Sequence, residues 1–116
     1  MKFKVIMALV RDEDTDALIE VARQEGATGC TVITSARGEG LEPPRTFFGL
    51  GLEVQRDVVL FLVEEHLSRR VLEAVAAVGR FDAEVGAGIA FQLDVEDAVG
   101  LASQLPRIKA EIGDEI

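Results

Sequence analysis

The chain has 116 residues, 48% of them hydrophobic, and a formal net charge of -9 from 12 Lys and Arg against 21 Asp and Glu. That length fits one domain of about 100–150 residues, and so much apolar content excludes a disordered segment. The acidic balance sets up a field that repels phosphate polymers and anionic lipid, and six Phe with neither Trp nor Tyr give no aromatic platform for single strands, so nucleic acid is not an expected partner.

The first ten residues begin with alternation (Lys2, Phe3, Lys4, Val5) and pass into a continuous apolar run, as expected of a strand buried on both faces. The run is too short for a secretory leader and ends in Arg11-Asp12-Glu13-Asp14 without a small-residue cleavage site. No stretch is long enough to span a bilayer, so direct membrane insertion is not expected. The acidic cluster offers an N-cap for a helix carrying Leu18, Val21 and Ala22 on one face, and Gly26 is placed to end it. A β-branched segment from Thr28 to Thr34 predicts a second strand ending near Ala36. The lone Cys30 lies in that run, where burial is expected, and with no partner for a disulfide it fits a reducing cytoplasm.

Residues 37–53 are rich in Gly and Pro and have no sustained period, so a long loop is expected there, the most mobile part of the free chain. Arg37, Arg45, Phe47 and Phe48 fall within it, and two adjacent Phe in a loop call for a packing site on their own domain or on a partner protein. A third strand is predicted over Asp57–Val63, apolar enough to be central. A second helix follows, capped by Ser68, with Val71, Leu72, Val75 and Ala76 on its apolar face and Gly79 at its end. After a turn, Gly86-Ala87-Gly88 opens a strand in which Ile89, Phe91, Leu93 and Val95 alternate with smaller or polar residues. The tail from about 102 to 116 carries a weak helical pattern that Pro106 should interrupt.

The order strand, helix, strand, strand, helix, strand defines an α+β, ferredoxin-like βαββαβ sandwich spanning residues 1–116 as a single domain. Two helices cover one face of its sheet. The other face, still apolar, is best buried against further copies of the chain.

Three glycine-bearing junctions carry a family resemblance. Gly26-Ala27-Thr28-Gly29-Cys30-Thr31-Val32 resembles the first helix–strand junction of the P-II nitrogen regulators. Gly38-Glu39-Gly40 resembles the base of their T-loop, and Gly86-Ala87-Gly88 before Ile89-Ala90-Phe91 resembles the turn before their fourth strand. Together these cover residues 1–101 at the level of element order. The resemblance implies a homotrimer that binds an adenine nucleotide between subunits and touches a target protein, a transporter or a metabolic enzyme, through its T-loop. Carried over by position, it marks Gly38, Gly40, Arg56, Gly86 and Gly88 for ligand binding; Ala87 and Ile89 of the same turn are further ligand candidates, and Arg45, Phe47 and Phe48 in the loop are candidates for the partner.

The chain also departs from the family pattern. Ile89 stands where the family has Lys, Gly100 and Ala102 where it has Arg, and the Thr-Gly-Glu of the C-terminal loop is missing. Each lost charge-assisted bond to phosphate is worth about 1.5–3 kcal/mol, so ADP or AMP is expected to bind better than ATP. Relatives tied to inorganic-carbon handling add bicarbonate to the candidate effectors. The loop has no Tyr, so the uridylylation known in part of the family has no acceptor of that type.

Catalysis finds little support. His66, the only His, reads as a solvated or capping residue; Glu64, Glu65 and Asp57 read as solvated rather than chelating; and Ser35 and Ser68 lack the context of a nucleophile. No metal site is expected. Competing readings are a trimeric CutA-type metal-tolerance protein and an interaction domain without a ligand, and an acylphosphatase-like enzyme ranks last.

Overall fold

The computed structural model describes residues 1–36 and 55–113, together with the backbone of residues 46–47 and 50–51. The chain runs through β1 (Phe3–Arg11), a 3-10 turn (Asp12–Asp14), α1 (Thr15–Gln24), β2 (Thr31–Ala36), the two-residue strands β3 (Thr46–Phe47) and β4 (Leu50–Gly51), β5 (Arg56–Glu64), α2 (Glu65–Gly79), β6 (Gly88–Val95) and α3 (Leu105–Ile112). The main sheet has the order β2-β5-β1-β6 with every neighbouring pair antiparallel. Because β5 lies between β1 and β2, and β1 between β5 and β6, both helical connections are split βαβ units. This is the ferredoxin-like arrangement expected from element order.

Alternation along the strands decides which face is the core. Ile6, Ala8 and Val10 on β1 and Val59, Phe61 and Val63 on β5 are buried with Leu18 and Ala22 of α1 and Val71 and Val75 of α2. Each such large side chain contributes about 1.5–3 kcal/mol through removal of apolar surface from water. The intervening positions point to the opposite face. There Met7 stands between Leu60 and Phe91, Val5 between Leu62 and Leu93, and Leu9 between Val58 and Ile89. The core that buries α1 and α2 lies on the other side of the sheet from these three apolar rows, and Leu93 remains 49% exposed.

Several local expectations are corrected by packing. The acidic residues 12–14 form a 3-10 turn instead of capping α1 with a side chain, and Thr15, the first residue of α1, is buried. Its hydroxyl donates to the Asp57 carboxylate at 2.7 Å, so Asp57 is an interior hydrogen-bonded group and not a solvated one. Thr15→Val keeps the volume but strips the carboxylate of this donor. The variant is expected to lose about 1.5–3 kcal/mol in urea unfolding, whereas a decorative contact would leave the midpoint unchanged.

The second helix begins at Glu65, one turn before Ser68, because Glu64 caps it by accepting from the His66 backbone N–H at 2.7 Å. Ser68 is buried inside the helix and donates back to the Glu65 carbonyl at 3.1 Å. At the other end the left-handed capping residue is Arg80, with φ 56°, and not Gly79. Gly79 is required for a different reason: a Cβ there would stand 2.3 Å from Phe81 Cε1, and one on Gly88 would stand 2.5 Å from the same atom. The Phe81 ring therefore lies on two glycines and fixes the 80–87 turn against the start of β6. Pro106 occupies the first turn of α3, where it lacks no needed donor, so it starts that helix and does not interrupt it. Cys30 is half-buried.

Candidate functional site

The end of β1, the start of β5 and the turn before β6 meet at one end of the sheet. The antiparallel register places Arg11 directly opposite Arg56. It also places Gly88 opposite Val10, one residue away. Asp12 N–H donates to the Gln55 carbonyl at 3.3 Å, which ties the chain just after β1 to the residue just before β5. On the other side of that residue, the Gln55 amide donates to Ser35 Oγ at 2.6 Å and holds Ser35 in the left-handed region at φ 60°. A non-glycine residue costs on the order of 1–2 kcal/mol in that conformation, so the end of β2 is fixed at this site at some expense.

Like charges facing each other across a ladder are unfavourable. Arg11 is partly offset: its Nε donates to Asp14 at 3.1 Å and its Nη1 to Glu84 at 2.9 Å. Arg56 has no such compensation. It is 7% exposed, yet its Nε and Nη1, like Arg11 Nη2, are buried without a hydrogen-bond partner among the described residues. Burial, and then the neighbouring Arg11 charge, pull the Arg56 pKa down, against weaker support from Asp12, Asp14 and Glu13. A guanidinium nevertheless stays protonated at neutral pH. Buried donors are almost always satisfied, so three buried, unfilled N–H-bearing atoms on two facing cations mark this end of the sheet as the candidate site for an anion.

The sequence-derived candidates divide around this centre. Arg56 is central to it. Gly86 adopts φ 78°, which favours glycine, and Gly88 is required by close packing against the Leu9 carbonyl, 2.5 Å from where a Cβ would stand. The conformations of both are thus explained by the fold itself. Ala87 is fully buried and its N–H already donates to the Glu84 carbonyl at 3.2 Å. Ile89 belongs to the apolar face, in one row with Leu9 and Val58. Gly38, Gly40, Arg37, Arg45 and Phe48 lie outside the described residues, as do the side chain of Phe47 and the expectation that the long loop is mobile. Within that span only a short ladder is described, Thr46 opposite Gly51 and Phe47 opposite Leu50.

Arg11 and Glu84 were not singled out by the sequence reading. Arg11 was accessible to it: in this topology the last residue of the first strand must lie near the first residue of the third. Nothing local marks Glu84, whose contact with Arg11 spans 73 positions.

At the far end of the sheet, Glu64, Glu65 and His66 place potential metal-ligating atoms within 4.8 Å of one another. The Glu64 carboxylate is buried, not solvated as expected, and both of its oxygens are engaged by His66. The cluster is thereby accounted for as the N-cap of α2. No helix among the described residues is long and apolar enough to cross a membrane.

Comparison with known proteins agrees with this architecture. The family model of the nitrogen regulatory protein P-II matches residues 3–104, and the chain belongs to that family. The match decides against the CutA-type reading. No curated protein sequence matches the chain. Among solved structures it resembles CPII from Thiomonas intermedia K12 bound to ADP, AMP and acetate, at TM-score 0.65 and 16% identity over 84% of this chain and 89% of that one. The same protein bound to ADP, AMP and bicarbonate gives TM-score 0.62 at 17% identity over 82% and 87%. A PII-like signalling protein from Thermus thermophilus gives TM-score 0.60 at 24% identity over 82% and 87%. The helix α3 lies beyond the matched family region.

Proposed function

We propose that this chain is a non-enzymatic, P-II-like regulatory protein of the cytoplasm that senses a small anionic effector in clefts between the subunits of a homotrimer. The effector is an adenine nucleotide, ADP or AMP in preference to ATP, with bicarbonate as a candidate second ligand. Signalling passes through residues 37–53, with Arg45, Phe47 and Phe48 as contacts, to a transporter or metabolic enzyme of nitrogen or inorganic-carbon metabolism.

The observation that carries this reading is the buried Arg56, opposite Arg11, with donors that no described protein group fills. The solved CPII complexes, which hold ADP, AMP and bicarbonate, support an anionic effector of that kind. The apolar rows around Met7 support self-association, since an uncovered sheet face of this composition is unfavourable in water.

The expected result is a trimer in sedimentation equilibrium and, by calorimetry, an affinity order of ADP and AMP above ATP. Losing two or three charge-assisted contacts at Ile89, Gly100 and Ala102 should weaken triphosphate binding by at least about tenfold relative to ADP. A chain that binds no adenine nucleotide and no bicarbonate would refute the sensing role. Tighter binding of ATP would place the missing cations elsewhere.

A further inference from the structure

Glu84 projects from the 80–87 turn to Arg11, the arginine that faces Arg56 across the ladder. Its Oε1 accepts from Arg11 Nη1 at 2.9 Å, and its Oε2 lies 3.2 Å from Arg80 Nε. The Arg11 hydrogen bond, then the Arg11 and Arg80 charges, hold its carboxyl below the usual carboxylate range, so it is ionised at neutral pH. The side chain is 42% exposed, so it can leave without unpacking the core. Among the described residues three buried N–H-bearing atoms of this pair remain unfilled: Arg11 Nη2, Arg56 Nε and Arg56 Nη1. Arg11 thus already holds two carboxylates of the protein, Asp14 next to it in sequence and Glu84 from the distant turn, while Arg56 holds none among the described residues.

We propose that Glu84 is a built-in competitor for the Arg11–Arg56 pair, which an incoming phosphate or carboxylate must displace or share cations with. This deepens the effector-sensing reading and rests on it. An anion that fills the open donors sits next to a second anion on the same guanidinium, and like charges that share a site oppose each other. Glu84 thereby raises the effector concentration at which the site fills. Its release frees the 80–87 turn from β1, which links occupancy to the position of the residues leading into β6. Phe81, lying over Gly79 and Gly88, pins both ends of the turn, so movement is confined to the segment between them that carries Glu84. The device also favours ligands with more than one anionic oxygen, since these replace both the Glu84 contact and the empty positions.

The test compares the full chain with Glu84→Gln and with Glu20→Gln, which removes the same charge from an exposed site on α1. ADP is titrated by calorimetry, and inorganic phosphate is titrated while the arginine Nε–H resonances of Arg11 and Arg56 are followed by NMR. Glu84→Gln should tighten ADP binding about tenfold, within the usual range for coupling between two sites, and Glu20→Gln less than about twofold. Unchanged or weaker ADP binding in Glu84→Gln, or an equal gain in both variants, overturns the competitor while leaving nucleotide sensing intact. If no variant binds ADP, the nucleotide reading fails and the phosphate titration decides alone. Arginine resonances that respond at about tenfold lower phosphate in Glu84→Gln than in the parent uphold the competitor, and the same response in both, or none, overturns it.

Discussion

Met7→Asp is expected to abolish self-association and leave a 12.5 kDa monomer. Met7 sits at the middle of the face opposite α1 and α2, with Leu60 across one ladder and Phe91 across the other. In an isolated subunit a carboxylate there stays near water and costs little. In the proposed trimer the same carboxylate would be enclosed by apolar side chains, and an unpaired buried charge costs several kcal/mol per copy. Three copies in such a trimer would multiply the penalty and add repulsion between like charges. Association should therefore weaken by several orders of magnitude while the far-UV circular dichroism stays that of the parent. Val99→Asp, on a side chain 94% exposed and outside the strands that form the three rows, adds the same charge and should sediment as the parent does. A trimeric Met7→Asp protein would show that the three apolar rows are not the contact surface.

How much of this was legible in the sequence depends on how far apart the interacting residues lie. Period-two alternation in 89–95 and helical spacing in 71–76 report local geometry, and the elements they predict are present. Their order then confines the topology, which is why the sheet order could be expected from residues alone. Errors collected at boundaries. Ser68 has the side chain of an N-cap, yet Glu64 takes that position because the end of β5 delivers it directly to the first turn of α2. Gly79 looked like a stop signal but is a packing requirement created by Phe81, and that contact needs the folded turn to be seen. Arg56 is a candidate through the family resemblance, which implies a cation near the start of the third strand. Its burial, its unfilled donors and its facing arginine are properties of the register and of nothing nearby in the chain. The Arg11–Glu84 contact belongs to the same class, and no short-range pattern announces it.

Arg56→Met should separate function from stability, raising one as it lowers the other. A guanidinium that is 7% exposed has given up most of its hydration, and here it faces a second cation and leaves two donor atoms unfilled. Such a group is a cost to the free protein. Methionine matches the length of the stem, keeps the packing and removes the charge, and replacing a buried charge by an apolar side chain is commonly neutral or stabilising. The ligand-free variant is expected to gain about 1–2 kcal/mol in urea unfolding, read as a higher midpoint at unchanged slope. The same change removes the donors that an anion would fill. At about 1.5–3 kcal/mol for a charge-assisted hydrogen bond, ADP affinity should fall by roughly 10- to 100-fold. Arg56→Lys retains a positive charge but loses the planar fork, so its affinity should lie between the two. Opposite movement of stability and affinity is what a binding residue held in an unfavourable free state produces. A joint fall in both would mean instead that Arg56 is held by partners within the protein, and that its unfilled donors are not the effector site.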